Sequence, residues 1–167
     1  MPLIYLVTHP EKMLQPDPPL TPRGEKQAIA LRDCLPKKSP LVLCGTGRRH
    51  LQTLRLLNVD AARTEFSDTI GVPHSLLPGG KIVVLACGEH ISKAFYTSVQ
   101  DRADAFRTRL TVLPDDSVVI TSRGNVRSLD GAADPTEAAV YRFNTVTGHL
   151  QLVRAASDNI GEGKQEL

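Results

Sequence analysis

Four short apolar runs in this chain each stop at a polar cluster that carries a basic group. They read Leu-Ile-Tyr-Leu-Val at 3–7 before Thr8-His9-Pro10-Glu11, and Leu-Val-Leu-Cys at 41–44 before Gly45-Thr46-Gly47-Arg48-Arg49. The third is Ile-Val-Val-Leu-Ala-Cys at 82–87 before Gly88-Glu89-His90, and the fourth is Val-Val-Ile at 118–120 before Thr121-Ser122-Arg123-Gly124. Unbroken apolar runs of this length suit parallel strands buried on both faces. Open α/β sheets bind ligands just beyond the carboxyl ends of their strands. His9, Arg49, Glu89, His90 and Arg123 are therefore expected around one crevice. Their charge points to an anionic ligand.

The segments between the runs fit an α/β alternation. Residues 10–20 hold Pro10, Pro16, Pro18 and Pro19 and read as an irregular loop. Thr21-Pro22 is a helix start, a capping hydroxyl followed by proline at the first helical position. Gly24, Ala28, Leu31 and Leu35 follow at helical spacing, the small pair allowing close approach to the sheet, and Pro36 ends the helix. Thr46 is placed to cap a second helix running to about Leu57. Residues 67–80 read as a Gly/Pro loop, and Phe95, Val99, Ala103, Phe106 and Leu110 trace a third helix. A short helix is expected from Gly124 to Leu129. Near the end, apolar segments at 138–143 and 150–153 flank Asn144-Thr-Val-Thr-Gly148, a hairpin signal. The expected fold is a three-layer α/β/α sandwich with a mainly parallel sheet and a C-terminal antiparallel hairpin. It forms one domain over residues 1–157 with a polar tail at 158–167.

Composition narrows the function classes. The chain is 41% hydrophobic and 23% charged, which argues against disorder. A net charge of +2, only 4% aromatics and no Trp argue against a nucleic-acid partner. The run at 3–7 is too short and lacks the basic leader of a signal peptide, and no later run is long enough to span a membrane. Cys34, Cys44 and Cys87 are isolated, and the five histidines show no HxxxH or HExxH spacing, so no metal and no other cofactor is expected. The expected compartment is the cytoplasm.

Three clusters carry the chemistry. An imidazole directly beyond a buried strand, His9, is placed for nucleophilic or acid–base work. Gly45-Thr46-Gly47 puts a flexible turn at a helix start, where backbone N–H groups and the helix dipole attract anions. Arg49 in the first helical turn opposes that dipole, so its presence there calls for an anionic partner. Arg123 repeats the theme after the fourth strand. His50 is expected to face outward or onto the sheet edge, and His74 and His149 lie in loop or turn contexts.

These motifs resemble the histidine phosphatase superfamily, the phosphoglycerate mutase-like proteins. The similarity rests on Leu6-Val-Thr-His9, on Leu20-Thr-Pro-Arg-Gly24 with Gln27-Ala28, on Arg49-His-Leu-Gln-Thr53 and on Val119-Ile-Thr-Ser-Arg-Gly124. The segments at 138–143 and 148–153 resemble that family's closing strands, so the likeness runs from about residue 3 to residue 154. By this resemblance His9 is the nucleophile that becomes phosphohistidine, and Arg49 holds the phosphoryl oxygens, with Thr8 and Arg123 beside it as phosphate-binding positions. A carboxylic acid protonates the leaving oxygen; Glu89 is the first candidate, with Asp68 and Glu11 as alternatives. The chain departs from the family pattern at three places. Thr8 stands for an arginine, Pro10 for a glycine and Arg123 for the second histidine. Arginine donates to phosphate but does not exchange protons.

The function this implies is hydrolysis of a phosphomonoester or phosphoprotein through phosphohistidine, its partner being a phosphorylated small molecule or phosphoprotein. The alternative is a phospho-ligand binding module of the same fold with impaired catalysis. An unrelated nucleotide-binding α/β protein ranks last, because both GxGxxG and the P-loop lysine motif are missing.

Overall fold

The computed structural model describes residues 3–73, 75–76, 82–83, 99–130 and 134–156. Their strands are β1 (Leu3–Thr8), β2 (Lys38–Ser39), β3 (Val42–Cys44), β4 (Asp60–Ala61), β5 (Thr64–Phe66), β6 (Ser75–Leu76), β7 (Ile82–Val83), β8 (Val118–Thr121), β9 (Ala139–Asn144) and β10 (Leu150–Ala155). The helices are α1 (Pro22–Ala30), α2 (Arg48–Leu57), α3 (Val99–Thr111) and α4 (Arg123–Arg127), with a 3-10 turn over Arg32–Cys34. Six strands form the central sheet in the order β10-β9-β1-β8-β3-β5. β1, β8, β3 and β5 run parallel, and β9 and β10 run antiparallel at one edge. The expected three-layer sandwich with a late hairpin is the architecture observed.

Alternation along the strands explains the layers. Ile4, Leu6, Leu43, Val119, Tyr141 and Phe143 face one side and pack with Phe106 and Leu110 of α3 and Val126 of α4. Val7, Val42, Cys44, Val118, Ile120 and Val140 face the other and pack with Leu31, Leu35 and Leu57 around α1 and α2. A strand covered on both faces has no solvent side, so its apolar run is continuous.

The third run departs from expectation. Ile82–Val83 pair antiparallel with Ser75–Leu76 in a separate small sheet. The parallel place beside β3 belongs to Thr64–Phe66 instead. Among the described residues this is an edge position with Phe66 half-exposed, so the segment needs no apolar run. The rest of the third run lies outside the described residues, as do Cys87, Glu89, His90, Phe95 and the tail at 158–167.

Helix starts divide similarly. Thr21 caps α1, its hydroxyl accepting from Gly24 N–H at 2.9 Å. α2 is capped instead by Gly47, without a side-chain bond. The Thr46 hydroxyl donates to Asp68 Oδ1 at 2.5 Å and is therefore committed elsewhere. The hairpin turn is closed by Asn144, whose side chain accepts from Val146 and Thr147 N–H, with Gly148 at φ +76°.

Candidate functional site

The carboxyl ends of β1, β8 and β3 are level. Thr8 pairs with Thr121, and Cys44 pairs with Ile120. The chain beyond each strand therefore opens at one rim. His9 N–H donates to Thr121 O at 3.1 Å, and Gly45 N–H donates to Ile120 O at 3.1 Å. On the far side of β1, Ala138 N–H donates to His9 O at 3.1 Å. The His9 backbone is thus clamped between β8 and the approach to β9.

The His9 side chain is set by its successor. His9 Nδ1 lies 2.9 Å from Pro10 O. A carbonyl only accepts, so Nδ1 carries the proton and Nε2 carries the lone pair. Burial, then the positive charge of Arg49, lower the imidazole pKa to about 3; Lys12 and Arg123 add to this, and the Pro10 bond opposes it. The ring is neutral at pH 7. The residue as a whole keeps only 5% of its surface exposed.

Arg49 is 4% exposed, a buried cation on the first turn of α2. Its Nη1 donates to Val72 O at 3.2 Å, and Thr53 Oγ1 donates back to Arg49 O at 2.6 Å. The loop at 67–72 is itself fastened to the rim. Thr121 Oγ1 and Asn125 Nδ2 both donate to Ile70 O, at 2.5 and 2.9 Å. Arg123, exposed at the start of α4, acts on His9 from the β8 side.

His50, expected to face outward or onto the sheet edge, does not face outward. It is fully buried, with its ring edge-on to His9 at 5.4 Å between centroids and 87° between planes. Its Nε2 meets Ser122 Oγ at 3.1 Å, which leaves α4 without a side-chain cap. Its Nδ1 is buried with no hydrogen-bond partner among the described residues. Burial, Arg49 and His9 hold its pKa well below the usual imidazole range. Glycine makes room for this ring. A Cβ at Gly45, Gly47 or Gly71 would come within 2.9, 2.9 and 2.5 Å of it.

Several amides of the turn at 45–47, expected as a backbone cradle for an anion, already hold partners. Gly45 N–H is used by Ile120, Thr46 N–H by Gly71 O at 2.9 Å, and Arg48 N–H by Asp17 Oδ1 at 2.9 Å. Side chains, not these amides, form the cationic lining. Thr8 is also committed. Its hydroxyl donates to Thr136 O at 2.7 Å and accepts from Ala139 N–H at 2.9 Å, which ties β1 to β9.

Two charged residues that act on this cluster escaped the sequence reading. Lys12 is half-buried on the loop at 10–20, its ammonium pKa lowered by burial and by Arg49 and Arg123, with Glu137 opposing. That loop is braced by the two motif glutamines. Gln27 Oε1 accepts from Glu11 N–H at 2.9 Å, and Gln52 Oε1 accepts from Leu20 N–H at 2.6 Å. Glu137 is half-buried just before β9, and burial raises its pKa against the pull of Arg123 and Lys12. A strand antiparallel to β1 must begin where β1 ends, and that rule could have flagged Glu137. Among the alternative acids, Glu11 is engaged by Thr21 Oγ1 at 2.8 Å and by Arg23, and Asp68 by Thr46. No group of metal-ligating side chains occurs among the described residues. No helix among them is long and apolar enough to cross a membrane.

A mainly parallel α/β/α sheet thus holds His9, with Arg49, Lys12 and Arg123 acting on it, at its strand ends, the edge where open α/β sheets bind ligands. Solved structures specify the fold further. An assigned alpha-ribazole-5'-P phosphatase from Escherichia coli K-12 MG1655 superposes with a TM-score of 0.62 at 17% identity, covering 93% of this chain and 96% of its own. A phosphoserine phosphatase from Entamoeba histolytica, in complex with 3-phosphoglyceric acid, gives 0.59 at 13% identity, with coverage of 92% and 96%. An assigned phosphohistidine phosphatase SixA from Nakamurella multipartitia gives 0.52 at 17% identity, with coverage of 92% and 94%. The chain has the fold of the histidine phosphatases, the phosphoglycerate mutase-like fold. No protein-family model and no curated protein sequence matches it.

Proposed function

We propose that this chain is a divergent histidine phosphatase that hydrolyses a phosphomonoester or phosphoprotein through phosphohistidine at His9. The observation that carries this reading is the His9–Pro10 hydrogen bond. It holds the proton on Nδ1 and so puts the lone pair on Nε2 of a ring that burial and Arg49 keep neutral. In-line attack by Nε2 on phosphorus breaks the bond to the leaving oxygen. Arg49, Lys12 and Arg123 balance the charge that spreads over the equatorial oxygens. Lys12 and Arg123 take the place of the clamp that Thr8, committed to β9, does not supply. The similarity in fold to proteins named as phosphatases supports the same class of substrate. Free thiols at Cys34 and Cys44 fit a reducing compartment such as the cytoplasm.

The second reading, a phospho-ligand binding module, is favoured by the 5% exposure of His9 and by Arg123 in place of a proton-exchanging histidine. One experiment separates the two. The chain is mixed with 32P-labelled acetyl phosphate and assayed for acid-labile, base-stable label. Label on wild type and none on His9→Ala supports the phosphatase. Orthophosphate binding without label or turnover supports the module.

A further inference from the structure

The chain tethers residue 137 to the nucleophile from both sides. Thr8 Oγ1 donates to the carbonyl of residue 136 at 2.7 Å, and the N–H of residue 138 donates to His9 O at 3.1 Å. Ala139 N–H closes the clamp onto Thr8 Oγ1 at 2.9 Å. Between these anchors the backbone is strained. Ala138 adopts φ +54°, a left-handed conformation that alanine rarely takes. Strain of that kind persists only where the surroundings enforce it, and it gathers at working sites. Here it fixes where the residue before Ala138 sits, at the exit of β1.

We propose that Glu137 is the general acid and base of this site: its carboxyl protonates the leaving oxygen and its carboxylate then activates water. This rests on the phosphatase reading above. In the first step His9 Nε2 bonds to phosphorus, the P–O bond breaks, and the leaving oxygen takes the Glu137 proton to depart as an alcohol. In the second step water attacks phosphorus, Glu137 takes the water's proton, the P–N bond breaks, and its electron pair returns to Nε2. Orthophosphate leaves, and Glu137 is again protonated.

The groups facing Glu137 fit this role. Arg123 and Lys12 draw its pKa down, Arg23 adds to them weakly, and Glu11 together with burial opposes them. Burial dominates and favours the protonated form that a donor requires. The other described carboxylates near the rim already hold partners: Glu11 holds Thr21 and Arg23, and Asp68 holds Thr46.

The test compares Glu137→Gln with wild type on two donors, phenyl phosphate and 2,4-dinitrophenyl phosphate. The first leaving group needs a proton and the second does not. The variant should lose about 100-fold or more in kcat on phenyl phosphate. Release of dinitrophenolate in a single turnover should stay within about threefold, and phosphohistidine should accumulate because water is no longer activated. Orthophosphate should bind the variant about as tightly as wild type, because glutamine is isosteric with the protonated, uncharged carboxyl it replaces. Equal losses on both donors, or none on either, would overturn the assignment while leaving His9 as nucleophile. Absence of His9-dependent label in wild type would instead overturn the phosphatase reading, and this proposal with it.

Discussion

At Thr8 the fold uses a hydroxyl to join two strands. Thr8→Val removes both bonds and leaves Ala139 N–H and Thr136 O without their partner. That should cost about 1–3 kcal/mol, read as a lower urea midpoint, with orthophosphate affinity unchanged. A large loss of affinity would return Thr8 to the phosphate site. Arg49→Ala should behave in the opposite way, weakening orthophosphate binding by more than about tenfold; an unchanged affinity would put the anion elsewhere. Gly71 answers to His50. A methyl there meets the ring at 2.5 Å, against a loop carbonyl network with little freedom to yield. Gly71→Ala should destabilise by about 1–3 kcal/mol. His9 and Arg49 could be named from residue type and position alone. The burial of His50 could not, because the polar Arg49 and His50 both turn inward while the apolar Leu51 beside them is exposed, the reverse of what residue type implies. It takes Gly45, Gly47 and Gly71, drawn from two loops, to open the space.

Among the elements, α1 was the most legible, because a helix cap is local chemistry. Thr21, Pro22 and Gly24 satisfy the first turn within four residues. Thr21→Ala should cost about 1 kcal/mol in thermal or urea unfolding; no change would mean that packing alone sets this start. Gly24 has a further reason to lack a side chain, since a Cβ would sit 2.1 Å from Glu11 O. The small residue serves the loop at 10–20 and not the sheet, as its spacing had implied. The run at 82–87 shows where pattern reading stops. An apolar run reports a tendency to be buried and says nothing about the partner. Val83 and Ile82 pair with Ser75 and Leu76, and the short polar Thr64–Phe66 completes the sheet because an edge strand needs only one good neighbour. Glu137 escaped any local reading for a related reason. Its place at the exit of β1 comes from β9 running antiparallel to β1, a long-range pairing that only the topology rule, and no local window, contains.

For the whole molecule, two buried neutral imidazoles make stability depend on acid. The folded pKa of His9 is about 3 against an ordinary 6.5, and that of His50 is also well below it. Below 6.5 the unfolded chain takes up protons that the folded chain refuses, so stability is complete above that value and falls as pH drops toward 3. The slope approaches about 1.4 kcal/mol per pH unit for each histidine, and the raised pKa of Glu137 acts in the opposite sense. Urea unfolding between pH 7 and pH 5 should show this decline; a flat profile would contradict the burial of both rings. The gathering of Lys12, Arg49 and Arg123 around His9 is the product of sheet order, since β1, β8 and β3 are adjacent although far apart in the chain. The most direct test is to phosphorylate the chain and locate the bond by 31P–15N coupling. Because Pro10 holds Nδ1, the phosphoryl group should be on Nε2 of His9. A phosphoryl group on Nδ1, or on any other residue, would contradict the account.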